Sequence, residues 1–200
     1  MAVTVNFGVP TEQTGGTLMP KLQYRFRVSF TNLGGQGTTG SLVTRNVVSV
    51  TRPALDHEDV TVDVYNSKIR LAGKHTWQDV TLVIRDDVNS DVMSFMGNQM
   101  ARQVNHATQA SAKAGEDYKF GMKIEMLDGS QTDNVIDTWT LAGCFIPSIQ
   151  YGDLNYATSD VVQITATIRY DNASNEGAGG NDVLAFGTPG KGDIAVGGNN

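Results

Sequence analysis

The chain has 200 residues, of which 40% are hydrophobic and 18% charged, so it suits a single domain burying about 70% of its unfolded surface, and general disorder is excluded. A net charge of −6 argues against wrapping nucleic acid, which needs a basic footprint. Cys144 is the only cysteine, which rules out an internal disulfide, and no stretch approaches the roughly 18 apolar residues of a membrane span.

Residues 1–17 read as an N-terminal arm. They lack the basic region and apolar run of a secretory signal, so the chain is expected to be made and folded in a cytoplasm. Strand periodicity begins at LQYRFRVSF, where Leu22, Tyr24, Phe26, Val28 and Phe30 share a face, because successive side chains of a strand point to opposite sides. A loop, GGQGTTG, separates it from a second strand candidate, SLVTRNVVSV. TRPALDHED turns at Pro53 before DVTVDVY sets Val60, Val62 and Val64 against Asp59, Thr61 and Asp63. Lys68–Leu71 forms the returning arm of a hairpin, with a turn expected at Gly73, and DVTLVIR then points Val80, Leu82 and Ile84 inward.

From Ser90 the period changes. Val92, Phe95, Met96, Met100 and Val104 recur at three- and four-residue steps, which predicts one amphipathic helix over about 90–105. Asn89 or Ser90 is its expected cap, and Asp91 suits the positive end of its dipole. YKFGMKIEM and VIDTWTLAG follow as strands joined through LDGSQTDN, whose Asp-Gly pair marks a hairpin. VVQITATIRY buries Val162, Ile164, Ala166, Ile168 and Tyr170 and leaves Gln163, Thr165 and Thr167 outside. Residues 174–200 are glycine-rich and read as a C-terminal extension.

Little in the chain supports chemistry. Gly35, Gly37 and Gly40 match G-x-G-x-x-G, but a dinucleotide site needs that motif to open a helix, and a strand pattern follows. Neighbouring residues of Asp56–Asp59 alternate in direction along an extended stretch and do not converge on a metal. Cys144 has apolar neighbours, which disfavour the thiolate. His57, His75 and His106 occupy three kinds of segment and have no nameable partner, and Trp77 and Trp139 read as anchors beside strands. The Asn172-Ala173-Ser174 sequon has no meaning without a secretory route. No catalytic residue, cofactor or metal is expected.

The order of segments carries a resemblance. A strand like YRFRVSF leads to VTRPALDHEDVTVDVYNSKIRLAGKHTWQDVTLVIRDD, a helix, DYKFGMKIEMLDGS, and IDTWTLAGCFIPSIQYGDLNYATSDVVQITATIRYDNA. Over about residues 18–173 this resembles the tail tube proteins of contractile-tailed bacteriophages. The resemblance implies a mainly β domain of two antiparallel sheets forming a sandwich or barrel, with one flanking helix and an extended inter-ring hairpin. That fold is shared with the haemolysin-coregulated tube of type VI secretion. It also implies hexameric rings stacked into a virion tail tube that conducts genomic DNA without binding it specifically. The partners it implies are further copies of the chain, a tail sheath protein, baseplate and tail-terminator proteins, and a tape-measure protein in the lumen. Inter-subunit contacts are expected at Asp59, Asp63, Tyr65, Arg70, Lys74, His75, Trp77 and Asp79, and lumen-facing positions at Asp153, Asp160, Gln163, Thr165 and Thr167.

The residue patterns fit that expectation separately. Exposed sheet edges are an aggregation hazard in a monomer and an assembly principle in a ring, and a conduit for DNA gains nothing from phosphate-binding cations. Other readings remain open at this level. The chain could serve a type VI or phage-derived injection particle, act as a soluble β-barrel module for a small apolar ligand, or be a hydrolase using His75 or His57.

Overall fold

The computed structural model describes residues 20–33, 40–130, 134–177 and 182–184. In chain order these form β1 (Phe26–Thr31), α1 (Gly40–Asn46), β2 (Val47–Val50), β3 (Leu55–Val64), β4 (Ser67–Trp77) and β5 (Val80–Arg85). There follow α2 (Asp91–Gln103), β6 (Val104–Asn105), β7 (Ala110–Ser111), a short 3-10 turn (Gly115–Asp117), β8 (Phe120–Leu127), β9 (Val135–Gln150), β10 (Gln163–Arg169), β11 (Asn172–Gly177) and β12 (Asp182–Leu184).

β9 is the spine. Its first half pairs with β8 on one side and β11 on the other, and its second half pairs with β10. One layer therefore runs β1-β8-β9-β11-β12 and the other β9-β10-β5-β2, all antiparallel. The spine changes layer beside Gly143, which sits at φ 68. A Cβ there would lie 2.2 Å from Asp171 Oδ2, so this corner requires glycine on both counts.

The layers enclose most of the core that alternation predicts; Tyr24 and Val162 lie just outside β1 and β10 and are exposed. Val28, Met122, Ile124 and Leu141 from one layer meet Leu82, Ile84, Ile164 and Ile168 from the other, with Val92, Phe95 and Met96 of α2 packed among them. The sandwich does not close into a barrel. β1 pairs only with β8 and β2 only with β5 among the described residues. A cleft of about 810 Å³, lined by Tyr24, Phe26, Val47 and Val50, separates these two edges.

Several expectations need correction. SLVTRNVVSV is not one strand: its first part is α1, so the described residues hold two helices rather than one. Val43 is fully buried and Val47 packs against the same core. One helical turn thus points both valines inward while the chain crosses from β1 to the opposite layer, and packing overrides the β-branched propensity. Ser90 caps α2 by position only. It lies at φ 57 and makes no side-chain capping bond; instead the Asp87 carboxylate accepts from the amides of Asp91 and Val92 at 2.8 and 3.4 Å. Val104 opens β6 and does not extend the helical stripe. β11 spans Asn172–Gly177 and pairs with β9, so ordered sheet continues past Ala173. Gly73 makes no turn: β4 runs unbroken through it to Trp77, with a register shift opposite His57–Asp59.

Candidate assembly surfaces

Among the described residues the β3–β4 hairpin pairs with no other strand, and every residue from Asp56 to Ala72 is exposed. Its register places Val60 opposite Leu71 and Val62 opposite Ile69. Since directly opposed residues share a face, these four form one apolar face with Val64, each 43–53% exposed. The other face carries charge. Asp59 and Asp63 of β3 pair with Arg70 and Lys68 of β4 at 2.9 and 3.5 Å. A strand alternation expected to be half-buried is here an alternation that nothing among the described residues covers. At the tip Tyr65 is 99% exposed and left-handed at φ 48, a conformation that costs a non-glycine residue about 1–2 kcal/mol.

The hairpin root is fixed to the body. Gln78 N–H donates to Ala54 O at 2.9 Å. Trp77 Nε1 donates to Asn172 Oδ1 at 3.2 Å and its ring packs 5.7 Å from Tyr170. Asp79 receives two bonds from the Arg169 guanidinium, at 2.8 and 2.7 Å, and those bonds hold its carboxyl below the usual value. Of the expected contact residues, Asp59, Asp63, Tyr65, Arg70, Lys74 and His75 thus lie along the exposed hairpin. Trp77 and Asp79 are engaged by their own chain at its base. Lys74 makes no ion pair among the described residues.

The second set of expected residues maps to a different surface. Gln163, Thr165 and Thr167 alternate with buried Ile164, Ala166 and Ile168, giving β10 a polar outer face that ends in Arg169, paired to Asp79. Asp153 and Asp160 lie in the loop 151–162, which joins β9 to β10 and also exposes Leu154, Tyr156 and Val161. The sequence reading named this loop's carboxylates and missed its apolar residues. They fall in a turn-rich stretch with no period to reveal them.

The groups considered for chemistry do not converge. Burial pushes the Cys144 thiol up to about 12, away from the thiolate. The rings of His57 and His75 face each other across the hairpin at 6.2 Å, and neither takes part in a hydrogen bond or ion pair among the described residues. No group of three or more His, Cys, Asp or Glu able to hold a metal exists among the described residues. Contrary to the expected strand, Gly40 opens a helix, but the strands flanking α1 lie in different layers and pair antiparallel, so no parallel βαβ unit surrounds the glycine motif among the described residues. Gly35 and Gly37 lie outside the described residues.

No protein-family model matches the chain, and no curated protein does either. Its fold matches solved structures. The cap of the anti-feeding prophage, a tube-terminating cap, superposes with a TM-score of 0.61 at 13% identity, over 89% of this chain and all of that one. A chain of the sheath–tube complex of an extracellular contractile injection system gives 0.60 at 14% identity, over 80% and 93%. A chain of the six-fold-symmetrised baseplate of the anti-feeding prophage gives 0.58 at 15%, over 80% and 97%.

Proposed function

We propose that this chain is the subunit of the inner tube of a contractile tail, assembling as hexameric rings that stack into a hollow tube inside a sheath. The observation that carries the reading is the β3–β4 hairpin. A monomer rarely exposes so continuous an apolar face, and the strained aromatic at its tip is a conformation kept for something other than the fold of one chain. Covering the exposed half of each of the five side chains on a neighbouring ring is worth on the order of 1 kcal/mol apiece.

Within a ring, the free edges of β1 and β2 offer pairing to neighbours. The outer face of β10 (Gln163, Thr165, Thr167) lines the lumen, and Asp153 and Asp160 stand at the rim where rings meet. Uncharged side chains between Arg169, held by Asp79, and Arg85 opposite Gln163 give a polyanion few cations to grip, which suits ejection of genomic DNA. Sheath, baseplate, terminator and tape-measure proteins are the partners such a tube requires, and the virion tail is its place. The likeness to injection-system and prophage components favours a second reading with the same geometry, a tube that delivers protein cargo. The cargo of the native particle separates the two.

Ile69→Glu tests the hairpin directly. Ile69 is 51% exposed, so the variant is expected to fold with stability within about 0.5 kcal/mol of the parent chain and to lose ring stacking by sedimentation. Stacking equal to that of the parent chain contradicts the reading.

A further inference from the structure

Along the chain His57 and His75 have no partner; across the hairpin they have each other. They are directly opposed on β3 and β4, so their side chains leave the same face. A bulge produces this pairing. β4 runs three residues, from Ala72 to His75, where β3 runs two, from Asp59 to His57. Without the extra residue Lys74 would oppose His57, and His75 would point to the other face. Gly73 leaves room for the bulge, since a Cβ there would lie 3.0 Å from Val60 Cγ2 and 3.1 Å from Glu58 O.

Both imidazoles are exposed, and neither takes part in a hydrogen bond or ion pair among the described residues. Their ring centroids stand 6.2 Å apart. Two imidazoles on one tetrahedral ion, with metal–nitrogen bonds of about 2.0–2.1 Å, place their centroids on the order of 5 Å apart. Side-chain rotation closes that difference without moving the strands. Trp77, held by Asn172, meets His75 in a T-shaped contact at 6.3 Å and fixes one side of its ring.

We infer that His57 and His75 form a two-imidazole site for a borderline divalent transition-metal ion, clipping β3 to β4 at the root of the hairpin. Imidazole suits Zn²⁺, Ni²⁺ and Cu²⁺, whereas Mg²⁺ requires oxygen ligands. The nearby carboxylates of Asp56 and Asp59 are engaged by Gln78 and Arg70, so the histidines are the protein's ligands and water completes the shell. The site lies on the face of Asp59 and Asp63, opposite Val60 and Val62, and it stands whether or not the tube reading does. A bound ion cross-links a hairpin that pairs with no other strand among the described residues.

Calorimetric titration of the full chain with Zn²⁺ tests it, at slightly alkaline pH where imidazole carries no proton to displace. One ion per chain is expected, with no binding of Mg²⁺. His57→Gln and His75→Gln are each expected to weaken binding by on the order of 100-fold, the loss of one arm of a chelate. Both residues are exposed, so both variants are expected to keep the melting temperature of the parent chain. His106→Gln is expected to bind as the parent chain does. No binding of Zn²⁺, Ni²⁺ or Cu²⁺ at millimolar concentration overturns the site. So does a stoichiometry of one ion per two chains, or undiminished binding by either His57→Gln or His75→Gln.

Discussion

Single residues fix the corners of this fold. Gly143 is both left-handed and pressed against Asp171, whose carboxylate also bonds Lys119 Nζ at 2.5 Å. Gly143→Ala adds the left-handed penalty to a displaced ion pair and is expected to cost about 2 kcal/mol or more, measured by chemical denaturation. A cost near zero contradicts the account of the corner. Tyr170 is the opposite case. Its hydroxyl is buried with no partner among the described residues, and burial pushes its pKa up to about 12. Tyr170→Phe removes an unsatisfied polar group and keeps the ring against Trp77, so stability is expected to hold or rise by up to about 1 kcal/mol. A clear loss of stability contradicts it.

At the scale of elements, β11 shows what polarity conceals. NASNEG reads as loop sequence, yet Asn175 is 6% exposed and donates to buried Asp137 at 2.5 Å, while Lys21 Nζ reaches the other oxygen at 3.0 Å. A polar strand is stable inside when its groups are paired, and no single-chain pattern announces the pairing. Truncation after Ala173 removes Asn175 and most of the β9–β11 ladder, and is expected to lower the melting temperature by on the order of 10 °C. An unchanged melting temperature contradicts the assignment of β11 to the folded unit.

The core strands were legible because Val80, Leu82 and Ile84, or Ile164, Ala166 and Ile168, alternate against polar neighbours. The hairpin shows the limit of that signal. Val60, Val62 and Val64 alternate just as well, because period two records that one face is apolar and not which molecule covers it. α1 is not announced because Val43 and Val47, four residues apart, fall on one face of a strand and of a helix alike. Loop 151–162 escaped because an irregular segment has no period.

At the scale of the whole molecule, the open seam between β1 and β2, the bare hairpin and the apolar loop are three surfaces left uncovered among the described residues. An acidic domain of this size with a well-packed core has no folding reason to keep them. The central claim is that copies of the chain complete one another, and electron microscopy of the purified full-length protein tests it most directly. The account predicts hollow tubes or rings with six-fold symmetry, extended by stacking along one axis. A protein that remains monomeric at high concentration, under every condition of salt and pH in which it stays folded, would contradict it.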